Sequence, residues 1–337
     1  DDYAIYLWDV AVGCLQQVWE GHTDSVRSVS WSPDGQTLAS ASADGTLRLW
    51  RLATGESQVL EGHTDSLWAV EWSRDGQWLA SGGEDGTIRL WQQDGEPTQR
   101  VFLGHREWIW ALRFSPDGQY LASGSRDCTI RLWDLATDTT TQVLKGHHQG
   151  VSALGWHPQQ PLLASGGVDQ VIRLWDTGSG HALRFLQGYT TSVWSVAWNP
   201  RAAELADDYP DLASGHQDGS IWLWQRSSGA ARRRLPGHSR QVWQVAWSPD
   251  GTTLASCGDD GTVQLWNVKQ GRRLQTLRGH QHNRIWTVTW KGDGSLLASG
   301  GADAAIRLWD PLTQQCVQAW QAHASDVLTL QFSPASG

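Results

Sequence analysis

The sequence predicts an all-β chain: eight four-stranded antiparallel sheets stacked around one axis. Three observations predict it. Tryptophan closes a similar apolar stretch eight times, at Trp8, Trp50, Trp91, Trp133, Trp175, Trp224, Trp266 and Trp309, at intervals of 42, 41, 42, 42, 49, 42 and 43 residues. A period near 42 across 337 residues is an internal repeat, and it sets the architecture before any single residue does. Within each period, apolar residues alternate in short runs between turn residues, the pattern of half-buried strands. One apolar stretch also recurs eight times, ending at Trp31, Trp72, Phe114, Trp156, Trp198, Trp247, Trp290 and Phe332.

The unit that begins at Gly21 shows the elements in order. Strands are expected at about 25–31, 36–42, 46–50 and 57–61. Pro33-Asp34-Gly35 and Asp44-Gly45 supply the turn chemistry between them, and Thr54-Gly55 breaks the chain again. No helix is expected. A four-stranded sheet cannot bury both faces alone, so successive sheets must stack. This predicts one domain, 1–337, with sheets at about 24–63, 65–104, 107–146, 149–188, 191–237, 240–279 and 282–323. An eighth would combine 325–337 with 1–20: Tyr3–Trp8 and Leu15–Trp19 as third and fourth strands, Asp326–Phe332 as first. Its second strand has no counterpart in the sequence. The alternative, seven sheets with extra terminal strands, leaves three amphipathic strands without a home, so eight is the expectation.

Composition narrows function. With 26 basic and 35 acidic residues the net charge is −9, which argues against a general grip on nucleic acid. No apolar run approaches the ~18 residues of a membrane span. Cys14, Cys128, Cys257 and Cys316 are scattered, with neither metal-ligand spacing nor a small-domain disulfide framework. Phosphate-binding, zinc-protease and calcium-loop motifs are absent, so no cofactor and no metal are expected. The lack of a signal-peptide pattern points to the cytoplasm.

The Gly-His pairs beginning at 21, 62, 104, 146, 237 and 279, with Trp-Asp at 8, 133, 175 and 309, resemble the WD-repeat β-propeller family. The near-identical, Trp-rich repeats are most similar to its bacterial type. The resemblance implies blades around a central channel. It also implies a hydrogen-bonded network of His22, Ser40, Asp44 and Trp50; His63, Ser81, Asp85 and Trp91; His105, Asp127 and Trp133; His238, Asp260 and Trp266; and His280, Asp303 and Trp309. A Ser/His/Asp hydrolase reading of these trios fails on number, since one enzyme needs one activated nucleophile and the trio recurs six times. The expectation is a protein that is not an enzyme.

Binding residues are sought where the repeats differ. The position after the first apolar residue of each innermost strand holds Arg27, Trp68, Trp110, Ser152, Trp194, Trp243, Trp286 and Leu328, and Trp108 adds an indole nearby. By resemblance this position lies at the channel mouth. The residue before each Asp turn, Glu84 and Asp259 among them, is placed near the same face. The expected function is a recognition or scaffold module binding a protein, a peptide or a small ligand there, with indoles beside carboxylates favouring a cation. The alternative is a sensor or structural hub within a larger bacterial signalling protein, fused to an NTPase or kinase and using rim or lower-face contacts. The fifth blade stands apart, with Gly188-Tyr189 in place of Gly-His and about seven extra residues within 201–211.

Overall fold

The computed structural model describes residues 3–92, 99–186, 191–202, 204, 209–225, 231–281 and 284–334. Seven four-stranded antiparallel sheets follow one another along the chain, at 26–60, 67–102, 109–145, 151–186, 193–235, 242–278 and 285–321. The first is built from Val26–Trp31, Thr37–Ser42, Leu47–Arg51 and Ser57–Leu60, each boundary within one residue of the turn-based expectation. Its tight turn forms because Asp34 Oδ1 accepts hydrogen bonds from Ser32 Oγ and the Gln36 N–H. The Asp75, Asp117 and Asp250 turns repeat that arrangement.

Each sheet leads with its innermost strand, and successive innermost strands run beside one another from Val26–Trp31 to Ile285–Trp290. The core lies in the joints between blades. Ile88 and Leu90 of the second blade meet Ile109, Leu112 and Leu121 of the third, all fully buried. A hydrogen bond accompanies the apolar contact at several joints. The Nε1–H groups of Trp156, Trp198, Trp247 and Trp290 donate to the carbonyls of Arg113, Gly155, Ala197 and Ala246 on the preceding blade, at 2.8–3.1 Å.

The expected eighth blade is not formed. The propeller has seven four-stranded blades, and Ile5–Asp9 pairs with Cys14–Trp19 as a separate two-stranded sheet. Residues 325–333 join no strand ladder. The reason is the strand the sequence lacks: a would-be first strand with no second strand beside it has nothing to complete its N–H and C=O ladder. The small sheet still packs one face against the blades beside it, while Leu15 and Val18 stay exposed. Trp8 and Val10 cover Ile306, Leu308 and Trp320 of the seventh blade, while Ile5 and Trp19 cover Trp31, Leu38 and Trp50 of the first.

The turn between second and third strands needs a residue in the left-handed region. Gly45, Gly86, Gly219 and Gly261 take it with φ of +69° to +83°, but Cys128, Gln170 and Ala304 take it at +69°, +65° and +61°. An L side chain there costs roughly 1 kcal/mol. Gln170→Gly and Ala304→Gly should each therefore raise stability by about 1 kcal/mol. The two sit in different blades, so their gains should add, read as a higher urea midpoint at unchanged m-value.

Candidate functional site

In every blade the indole of the third strand reaches inward to a serine on the second. Trp50, Trp91, Trp133, Trp175, Trp224, Trp266 and Trp309 donate Nε1–H to Ser40, Ser81, Ser123, Ser165, Ser214, Ser256 and Ser299 at 2.8–3.0 Å. In six blades the same hydroxyl meets the Nε2 of His22, His63, His105, His147, His238 or His280 at 2.7–2.8 Å. The Nδ1 of each ring lies 2.8–2.9 Å from Asp44, Asp85, Asp127, Asp169, Asp260 or Asp303. An ionised carboxylate only accepts, so Nδ1 carries the proton and Nε2 accepts from the serine O–H. All seven serines are completely buried. A nucleophile needs access to substrate, and these hydroxyls have none.

Electrostatics agree with a neutral imidazole between two fixed partners. Burial pulls His22, His147 and His280 below the ordinary histidine range, against the upward pull of their aspartates. For Asp44, Asp85 and Asp260 burial pushes upward. Hydrogen bonds from neighbouring N–H, threonine and histidine groups outweigh it and hold each carboxyl at about 2.

The fifth blade solves the same problem differently. Its Gly188-Tyr189 lies outside the described residues. Here His216, the last residue of strand Leu212–His216, brings its Nε2 within 2.8 Å of Ser214 Oγ. The other blades end that strand in Gly or Ser, and at Gly167 an added Cβ would lie 2.8 Å from His147 Nδ1. A histidine fits at 216 in the blade whose loop carries none. The substitution at 216 was visible in the sequence, but only the fold shows that it replaces the loop histidine. Of the insertion, Arg201 bonds Glu204, and buried Asn199 donates to the carbonyls of Pro210 and Gly251.

The candidate face lies where the innermost strands begin. All six indoles there are half-buried. They form two groups. In the first, Trp68 stacks on Trp108 with ring centroids 6.1 Å apart, while Trp110 lies against Gly150, where an added Cβ would meet its ring at 2.4 Å. The Arg27 guanidinium sits 3.7 Å above Trp68, and Arg126 sits 5.0 Å from Trp108. Glu84 Oε1 accepts from Trp68 Nε1 at 2.9 Å and from Arg27 at 3.3 Å. In the second, Trp194, Trp243 and Trp286 meet in sequence at 5.4 and 4.8 Å. Asp259 accepts from Trp243 Nε1 at 2.6 Å and pairs with Arg284, and Asp326 accepts from Trp286 Nε1 at 3.0 Å. Ser152, between the groups, turns its hydroxyl to the Val193 carbonyl.

Arg284 and Asp326 escaped the sequence reading. Arg284 stands immediately before an innermost strand, the position that also holds Trp108, and Asp326 holds the matching repeat position before the 327–332 stretch, so variation there was the missed signal. Among the described residues no group of three or more His, Cys, Asp or Glu is placed to hold a metal ion, and no helix is long and apolar enough to cross a membrane.

Seven four-stranded blades, each stitched by a buried Trp–Ser–His relay, define a repeat propeller. The family model described as WD domain, G-beta repeat matches residues 13–51, 55–92, 96–134, 138–176, 180–225, 229–267 and 271–310, and the chain belongs to this family of seven repeats. Among curated proteins it is similar to ribosome biogenesis protein BOP1 of Rattus norvegicus, 61% identical over 12% of this chain and 6% of that protein. It is also similar to coronin-7 of Bos taurus, 43% identical over 14% and 5%, and to serine-threonine kinase receptor-associated protein of Gallus gallus, 39% identical over 17% and 16%. The matches thus span a small fraction of these relatives. All three are animal proteins, and nothing in the comparison supports the bacterial type expected from the uniform repeats.

Two measurements test the relay. His63→Ala should lower stability by about 1–3 kcal/mol, because Ser81 and Asp85 lose the ring between them. Urea midpoints across pH test the charge states. Burial pushes His216 down to about 4, whereas an unfolded histidine titrates near ~6.5. Between those values only the unfolded chain takes the proton, so stability is present above that window and is lost as pH falls through it. Asp44, Asp85 and Asp260 extend the loss from about 4 down to about 2 in the same direction. His216→Gln should flatten the slope between pH 6.5 and 4 by up to about 1.4 kcal/mol per pH unit, the contribution of one proton.

Proposed function

We propose that the chain is a non-enzymatic recognition module that captures a protein or peptide segment on its indole-rich face. WD-repeat propellers generally serve as protein-interaction scaffolds, which gives the class; the face supports the finer reading. The observation that carries it is the half-exposed double cluster of Trp68, Trp108 and Trp110 with Trp194, Trp243 and Trp286. Arg27, Ser152 and Leu328 occupy the same repeat position, so the fold does not require indoles there. Large, stiff aromatic surface beside arginine is what concentrates energy in protein interfaces. A free cationic ligand is favoured less, because Glu84 and Asp259 already face Arg27 and Arg284 and two indole N–H groups.

A hub that uses its rim is the second reading. Leu183 and Phe185 on the outermost strand of the fourth blade are 53% and 54% exposed, and Leu103 beside the second is 71% exposed. Fusion to a bacterial NTPase or kinase has no support from the relatives found.

Peptides selected from a random library on the immobilised protein separate the two. Trp110→Ala/Trp243→Ala should weaken the selected peptides at least about tenfold, the scale of one or two interface hot spots, with the unfolding midpoint nearly unchanged. Undiminished affinity would move the site to the rim or to the 201–211 loop.

A further inference from the structure

The carboxylates of the indole face are occupied, and several of its donors are not. Glu84 takes the N–H of Trp68 and the guanidinium of Arg27, while Asp259 takes the N–H of Trp243 and pairs with Arg284. Asp24 and Asp65, exposed on the first two entry loops, each accept the N–H of the following residue, at 2.6 and 2.8 Å. Among the described residues, by contrast, Trp194 Nε1 and Gln241 Nε2 are buried without an acceptor. The two belong to one neighbourhood: Trp243 packs on Trp194 at 5.4 Å, and Gln241 directly precedes the strand that carries Trp243. The half-buried Trp108 and Trp110 give their Nε1–H to no described residue either.

One cation on this face also stands without a counter-charge. Of the residues that precede the blades' Asp turns, Arg126 alone is basic, whereas Glu84 and Asp259 are acidic. Its guanidinium is exposed and lies 5.0 Å from the Trp108 ring. Among the described residues no carboxylate comes within ion-pair distance of it. The carboxylate next to it in sequence is already committed, since Asp127 accepts from His105 Nδ1, the Arg106 N–H and Thr129. Arg106 and Glu107, on the loop that enters the same blade, offset each other in charge, so Arg126 sets the local sign. A guanidinium held over an indole keeps its N–H fork available, and that fork matches the two oxygens of a carboxylate.

On the recognition reading above, from which this follows, we propose that the captured segment is acidic. A Glu or Asp side chain of the partner is received by Arg126, and a neighbouring apolar side chain lies against Trp108 and Trp110. The sign is the reverse of the one expected from the sequence, where indoles beside carboxylates favoured a cation. In the folded chain Glu84 and Asp259 already hold arginine and indole N–H groups, so an arriving cation would have to displace Arg27 or Arg284. An anion displaces nothing at Arg126. The net charge of −9 opposes an acidic partner at long range, but screening within about 8 Å leaves the guanidinium in contact dominant. An entering segment also brings main-chain carbonyls, the acceptors that Trp194 and Gln241 lack.

The probe is a display library of random peptides, selected on the immobilised intact chain at physiological ionic strength. Selected peptides that lose affinity on Trp110→Ala/Trp243→Ala should be enriched in Glu or Asp beside Leu, Phe or Trp, relative to the unselected library. For one such peptide, resynthesised and labelled, Arg126→Gln should weaken binding roughly fivefold, the upper range for an exposed ion pair, with the unfolding midpoint unchanged. Changing the peptide's acidic residue to its amide should weaken binding equally on the unaltered chain and no further on Arg126→Gln. Indole-dependent peptides that are rich in Lys or Arg, that show no acidic enrichment, or that are indifferent to Arg126→Gln would overturn the acidic assignment and leave the recognition reading standing. Selection of no indole-dependent peptide would overturn both.

Discussion

A buried serine hydroxyl, held from two sides, fixes most of this structure. It accepts from an indole on the third strand and donates to an imidazole from the loop that enters the blade, and that imidazole is anchored by the Asp of the next turn. One oxygen thereby ties together the second strand, the third strand, the entry loop and the turn. Because the hydroxyl has no access to water, every missing partner would leave a polar group unsatisfied, at a cost of roughly 1–3 kcal/mol. That explains why loop, strand and turn vary so little between blades. The fifth blade shows that the constraint falls on the atoms and not on the loop: His216 reaches the same hydroxyl from the strand itself.

The relay builds blades, but only contacts between blades build the ring. Each innermost strand presents Val, Leu or Ile to the sheet behind it, and four of the terminal indoles bond back to the preceding blade. Six joints repeat this contact. The seventh, between the last blade and the first, is filled instead by the two-stranded sheet and residues 325–333. Its apolar contacts are substantial, and as at the other joints no strand ladder crosses it. Ring closure rests there on side-chain packing and on single bonds such as Gln331 to Trp31 and Trp320 Nε1 to the Gly13 carbonyl.

The strand boundaries were legible in the sequence because Asp-Gly turns and alternating Val and Leu are local signals, as in 26–60. The blade number was not. Counting innermost stretches gives eight, since Val327 and Leu330 look like Val26 and Val29, but a stretch becomes a strand only when a neighbour completes its ladder. The indole positions on the face were legible from variation at one repeat position. Their grouping was not, because Arg27 reaches Trp68 and Glu84 across a blade joint, and no spacing along the chain encodes that approach.

The face and the relay divide the work by position. Residues two apart on an innermost strand share a side, and those that seal the joint cannot change without opening a cavity. The residue between them meets no such demand, and the chain places arginine, serine, leucine or tryptophan there. At Trp68, Trp243 and Trp286 the N–H finds Glu84, Asp259 and Asp326, and the guanidiniums of Arg27 and Arg284 lie against the rings of Trp68 and Trp286, whereas Trp194 Nε1 is buried without a partner among the described residues. These internal pairs hold the indoles in defined orientations before anything binds. On the proposed recognition role, a partner would meet a surface whose side-chain entropy is already partly lost, which favours affinity from a few rigid aromatic contacts over a broad but loose one.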